Sequence, residues 1–154
     1  MTRIATIGYQ GAALQRFVAT LRDGGVEELI DVRSIAWSRR PEFVKRSIAA
    51  TLSDAGIGYR HVEALGNPLA GRRAAGIGGV GDFAAAYEAH LDENAARAAM
   101  AGLAALAAEK RLCLMCMERD HAQCHRGLLA ARLAADWGLE VEHLSVGATQ
   151  MSLF

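Results

Sequence analysis

The chain predicts a three-layer α/β domain: a mostly parallel sheet with helices on both faces. Three observations carry that expectation. Short apolar runs alternate with segments of helical periodicity along the chain, which is the pattern of strands joined by crossover helices. Glycines and short polar stretches punctuate the changes from one period to the other. At 154 residues and 52% hydrophobic, with two prolines, the chain holds enough apolar side chains for one core.

Arg3 to Gly8 reads as the first strand. Leu14, Phe17, Val18 and Leu21 recur at helical spacing, and Gly24-Gly25 stops that helix. Leu29 to Val32 is a second, buried strand. Phe43 to Ala55 reads as a helix, with Ile48, Leu52 and Ala55 on one face and Gly56 as its stop. Tyr59 to Val62 makes a third strand. Residues 64–82 are rich in glycine and predict a long loop, of the kind that in a compact domain is functional or disordered. Two alanine-rich helices follow, Phe83 to Leu91 and Glu93 to Glu109. Then come the strand Arg111 to Cys116, the helix Leu128 to Trp137 capped by Gly138, and the strand Glu140 to Leu144. The sum is one Rossmann-like α/β domain over residues 1–145, with residues 146–154 as a C-terminal tail.

Composition excludes several classes. No run of 18 apolar residues exists, so no membrane-spanning helix is expected. The opening MTRIATIGYQ enters a strand pattern without a signal-peptide core. Three clustered cysteines argue against a disulfide scaffold and for a reducing compartment, so a cytoplasmic location is expected. The net charge is zero, which predicts no global pull toward nucleic acid. Its distribution is uneven. Arg33, Arg39, Arg40, Lys45, Arg46, Arg60, Arg72 and Arg73 stand against Glu42, Asp54 and Glu63, a local excess of five positive charges. That stretch is either a basic binding face or a solvated surface.

The segment LCLMCMERDHAQCHR, residues 112–126, concentrates the chemistry. All three cysteines and two of the five histidines fall between Cys113 and His125. A strand ends at Cys116, a polar loop follows, and Cys124, His125 and Arg126 stand where the next helix begins. Such a junction lies at the carboxyl edge of a sheet, where open α/β sheets bind ligands and helix N-termini bind anions. Three readings follow. Cys116, His121, Cys124 and His125 offer soft and imidazole ligands for zinc. The Cys-x4-His-x2-Cys-His spacing is not a standard one, however, and adjacent ligands are awkward for one ion, so no metal is expected. Cys116 or Cys124 could be a nucleophile, its thiolate favoured by an arginine and a helix N-terminus. Or Arg126 and His125 hold a phosphate and the thiols are packed beside it. Cys113, inside the strand, is expected to be core.

Asp31 and Arg33 end the second strand, where they could orient a substrate or form a structural ion pair. In the loop that follows, Ser38 and Arg39 with Arg40 could hold phosphate. Trp37 could stack a base there, although a fold back onto the core is the plainer expectation for it.

These landmarks together resemble the DUF488 family, a domain of unknown function. The match runs from Ile7-Gly8 through Leu29 to Ser34, Ser38-Arg39-Arg40, Gly56 with Tyr59, Leu65-Gly66 and Tyr87 to CMERDHAQCHR and the closing EVEHL. The resemblance implies an α/β domain and names no reaction. A weaker similarity is to rhodanese-like domains, in an Asp-Val-Arg strand end, a strand ending in Cys, and GLEVEHL. The loop between Cys116 and Arg126 departs from it, with nine residues and no glycine. The last five residues, Gln150-Met151-Ser152-Leu153-Phe154, resemble the bacterial sliding-clamp-binding peptide. There Gln150 would make polar contacts while Leu153 and Phe154 fill an apolar cleft.

The expectation is a pocket with Cys116, Glu118, Cys124 and His125 as catalytic candidates and Asp31, Arg33, Ser38, Arg39 and Arg126 on an anion. Its ligand would be a small phosphate-bearing anion or nucleic acid, with a sliding clamp as a partner of the tail. No cofactor is named by the sequence. A rhodanese-like sulfurtransferase using a Cys nucleophile and a non-catalytic nucleotide or DNA-binding module stand as alternatives, and whether the chain is an enzyme is left open.

Overall fold

A computed structural model describes residues 2–68 and 80–146. The strands are β1 (Arg3–Gly8), β2 (Glu28–Asp31), β3 (Gly58–His61), β4 (Leu112–Cys116) and β5 (Glu140–His143). The helices are α1 (Leu14–Asp23), α2 (Lys45–Asp54), α3 (Val80–Leu91), α4 (Asn94–Ala107) and α5 (His125–Trp137). Three short 3-10 turns sit at Pro41–Phe43, Glu63–Leu65 and His121–Gln123. All strands pair parallel, in the order β3-β2-β4-β1-β5.

The sheet divides the core in two. Cys113 and Met115 of β4 face Phe17 and Leu21 of α1 and Ile48 and Leu52 of α2. Leu112, Leu114 and Cys116 face the opposite layer, with Tyr87 of α3, Met100 of α4 and Leu129 of α5. Burying Phe17 and Leu21 stabilises α1 by about 1.5–3 kcal/mol each, which offsets an Ala13 N-cap that gives no side-chain bond. β4 is buried along its whole length, whereas the edge strands β3 and β5 are half-exposed, as central and edge positions require.

This order sets how the chain leaves the carboxyl edge of the sheet. The helices after β1 and β2 lie on one face, and α5 after β4 lies on the other. Because β4 sits between β1 and β2, its carboxyl end has neighbours whose connections leave in the opposite direction. In open α/β sheets ligands characteristically bind at such a switch point, and β4 ends in Cys116.

The expected boundaries shift at three places. Phe43 belongs to a 3-10 turn, and α2 starts at Lys45. The ring of Phe43 stacks on Tyr9 at 4.4 Å and meets Phe17 edge-on at 5.2 Å, so this turn is core rather than helix. Helix α5 starts at His125 instead of Leu128, because Cys124 is extended and its Sγ accepts from the Arg126 N–H at 3.4 Å as an N-cap. Helix α3 begins at Val80, inside the segment expected to be loop. Gly138 ends α5 at φ +69°, the left-handed C-cap the sequence predicts. The rest of the glycine-rich segment, residues 69–79, and the tail from 147 onward lie outside the described residues.

Candidate functional site

The carboxyl ends of β1, β2 and β4 and the first turn of α5 are tied into one buried network. It starts from Gly8. A Cβ there would stand 1.8 Å from the Glu118 carbonyl oxygen and 2.8 Å from Arg126 Nη1, so the β4–α5 loop can lie across β1 only because residue 8 is glycine. The Tyr9 N–H donates to the Cys116 carbonyl at 3.3 Å and the Gln10 N–H to the Met117 carbonyl at 2.8 Å. The loop closes on itself through Asp120, whose carboxylate accepts from the Ala122 N–H at 2.9 Å and caps the 3-10 turn.

That turn returns the chain, so residues eight apart in sequence meet. The Sγ atoms of Cys116 and Cys124 meet as a pair, with their Cα atoms 7.4 Å apart. The two cysteines come together because the 3-10 turn brings the start of α5 back beside the end of β4. Both nucleophile candidates therefore belong to one pair. A Glu118 carboxylate oxygen and the two sulfurs lie within 4.8 Å of one another. Cys113 faces the other layer, fully buried, and burial pushes its thiol pKa up.

Arg126 is 1% exposed. Its Nη1 donates to Cys116 Sγ at 3.3 Å and to the Glu118 carbonyl at 2.9 Å. Its Nε is buried and has no hydrogen-bond partner among the described residues. No carboxylate there forms an ion pair with it, and burial lowers its pKa. His125 is buried, and its Nε2 lies 2.6 Å from the Val32 carbonyl. A carbonyl only accepts, so Nε2 carries the hydrogen and Nδ1 keeps its lone pair. Nδ1 lies 3.5 Å from Cys124 Sγ. Burial holds the ring below the usual histidine value, that is, neutral.

Asp31 and Arg33 pair with each other. Arg33 Nε and Nη2 donate to the two Asp31 carboxylate oxygens at 2.9 and 2.7 Å, a bidentate pair. Arg33 Nη1 donates to the Tyr9 hydroxyl and the Trp37 carbonyl, both at 3.3 Å. Burial works against the Arg33 charge, but Asp31 overrides it and raises the pKa. The anion that Arg33 holds is thus Asp31, and the pair anchors the 33–43 loop. The sequence reading missed three supports. The Tyr59 hydroxyl donates to Asp31 at 2.5 Å, His61 Nε2 contacts the Arg33 carbonyl at 2.7 Å, and Tyr9 stacks beneath the guanidinium. Burial, then the bond to Asp31, raises the Tyr59 pKa. Only the alternation of β3 could have signalled Tyr59 and His61.

Ser38 is buried and its Oγ accepts from the Arg40 N–H at 3.1 Å, so it shapes a turn. Arg39 is exposed. Arg40 pairs with Glu42, lies over the Phe43 ring and donates to the Tyr9 carbonyl. Trp37 does not fold back onto the core. It is 62% exposed, because its loop is fixed through backbone atoms and the ring points outward. His121 leaves the candidate zinc set; its ring stacks on His143 at 3.5 Å. Gln150, Leu153 and Phe154 lie outside the described residues.

The model of the domain of unknown function DUF488 matches residues 13–133. No curated protein and no solved structure matches the chain.

Proposed function

This chain belongs to the DUF488 family, a domain of unknown function, and we propose that it binds a phosphate-bearing ligand, a nucleotide or nucleic-acid strand, across the carboxyl edge of its sheet. One observation carries the reading. The large apolar side chains left exposed among the described residues are Ile35, Trp37 and Met117, and all three stand on loops leaving the carboxyl ends of β2 and β4. Exposed Arg39, Lys45, Arg46 and Arg119 are interleaved with them. Single exposed apolar residues need no explanation. An exposed indole with exposed cations at a switch point suits a stacked base and its phosphates. Glu118, half-buried and 3.9 Å from Cys116 Sγ, is the proton carrier of this edge. His125 commits its Nε2–H to Val32, which leaves its Nδ1 lone pair beside Cys124 Sγ as the proton-accepting atom. The tail, through Gln150, Leu153 and Phe154, would tether the domain to a sliding clamp and so to DNA.

Fluorescence anisotropy with a labelled single-stranded oligonucleotide tests the reading. Trp37→Ala should weaken binding by about 1–3 kcal/mol, the contribution of one stacked base. Arg39→Glu with Arg46→Glu should flatten the salt dependence. Wild-type affinity in all these variants refutes it, as does absence of saturable binding at low salt.

A second reading rests on the Arg126 guanidinium at Cys116 Sγ, which stabilises a thiolate or persulfide at a strand end. In it, the reduced Cys116 thiolate takes the sulfane sulfur of thiosulfate, releasing sulfite, and passes it to a thiophilic acceptor. A mass gain of one sulfur on the Cys116 peptide would support it; an unmodified peptide would dismiss it.

A further inference from the structure

We infer that the reduced chain holds one soft divalent cation, of the zinc type, between Cys116, Cys124, Glu118 and His125. The inference goes beyond ligand binding at the sheet edge and does not depend on it. Four observations support it.

The first is the donor set. Two thiol sulfurs and a carboxylate oxygen lie within 4.8 Å of one another. Tetrahedral zinc bonds sulfur at about 2.3 Å, which separates its ligand atoms by roughly 3–4 Å, so side-chain rotation alone brings these donors into place. Thiolate and imidazole donors select zinc-like ions over magnesium or calcium. The Cα atoms of Cys116 and Cys124, 7.4 Å apart, lie past the roughly 4.4–6.8 Å that disulfides usually span. A shared ion accepts that wider spacing.

The second is His125. Metal-bound histidines characteristically donate their other ring N–H to a carbonyl or carboxylate, which fixes the tautomer and the ring. His125 has this arrangement already, with Nε2–H on Val32 and the Nδ1 lone pair beside Cys124 Sγ. Adjacency of residues 124 and 125 is no obstacle. Cys124 is extended and His125 is the first helical residue, and that break in the backbone sends both side chains to one place.

The third is the environment of the sulfurs. Cys116 Sγ accepts from Arg126 Nη1 at 3.3 Å and Cys124 Sγ from the Arg126 backbone N–H at 3.4 Å. N–H groups directed at sulfur favour the thiolate, which is the form that ligates.

The fourth is charge. Two thiolates and Glu118 sum to three negative charges against two positive on the ion, leaving one negative. Arg126, buried without an ion pair among the described residues, supplies the balancing positive charge. The oxidised pair offers no thiolate, so the ion belongs to the reduced form.

The test uses the full chain, reduced with a phosphine and stripped of metal, and Co2+ as the probe. We expect one equivalent bound, with tetrahedral visible bands and a thiolate-to-cobalt charge-transfer band, both bleached by one equivalent of Zn2+. Cys116→Ser and Cys124→Ser should each weaken binding by roughly 100-fold, and His125→Gln by roughly 10-fold or more. Cys113→Ser should titrate as wild type. A folded, reduced wild-type chain without the charge-transfer band overturns the inference, as does a band that survives both serine variants. If the variants fail to fold, peptide mass spectrometry of the alkylated wild type decides. Zn2+ should shield Cys116 and Cys124, and equal alkylation with and without it overturns the site. Oligonucleotide anisotropy repeated with and without metal separates the two readings, since each can fail while the other holds.

Discussion

Gly8→Ala should be among the most damaging single substitutions in this protein. The added Cβ would lie 1.8 Å from the Glu118 carbonyl oxygen, against an ordinary carbon–oxygen contact of about 3.4 Å. One of the two segments must therefore yield by roughly 1.5 Å. Residue 8 is in a central strand, paired with Cys116, so the loop is the segment that moves. Its displacement breaks the bond from Arg126 Nη1 to the Glu118 carbonyl at 2.9 Å. A bond from a charged donor contributes about 1.5–3 kcal/mol, and overpacking costs about 1–3 kcal/mol more. The expected loss is about 2.5–6 kcal/mol, which for a domain of this size lowers Tm by roughly 5–25 °C. Urea denaturation at neutral pH followed by circular dichroism measures it. The same variant should bind Co2+ more weakly while still folded at low temperature, because the loop that carries Glu118 moves away from Cys116. A stability within about 1 kcal/mol of wild type would show that the loop has another place to lie, and the reasoning from close approach would fail.

Three further outcomes are expected. Asp31→Asn leaves the Arg33 guanidinium buried without its bidentate carboxylate and should cost about 3–5 kcal/mol in denaturant titration; a loss under about 1 kcal/mol would mean that the loop, not the pair, holds Arg33. His125 is held neutral by burial, so its folded pKa lies below the unfolded value of about 6.5. The stability it contributes is complete above that value and is lost as pH falls through it toward the folded pKa, because only the unfolded chain takes up the proton. His125→Gln should flatten the stability profile in that window, and an unchanged profile would remove His125 from the acid-sensitive groups. Leu153→Ala with Phe154→Ala should abolish binding to a bacterial sliding clamp, measured by calorimetry at roughly micromolar affinity for the wild type, and leave Tm unchanged; a lowered Tm would place the tail in the core and remove the tether.

The chain sequence carries its fold class openly, since period and punctuation act within a few residues. Apolar runs such as Leu29–Val32 and glycines such as Gly25 and Gly138 mark strands and stops that the structure reproduces within a few residues. It also places the chemistry at one junction, because residues 112–126 are contiguous. What it leaves out is partnership across strands. The order β3-β2-β4-β1-β5 depends on which faces pack, and no local signal ranks the strands. The commitment of Arg33 to Asp31 with Tyr9 and Tyr59 beneath it, the outward turn of Trp37 and the need for glycine at residue 8 are all contacts over long sequence separations. Only the tertiary structure brings Cys116 to Cys124, sets His125 Nδ1 at 3.5 Å from Cys124 Sγ and buries Arg126 with its Nε unpartnered among the described residues. Residue types and spacing name the donors; convergence on one point requires the sheet to be assembled, because α5 can set its first turn against β4 only after Gly8 has let the intervening loop cross β1.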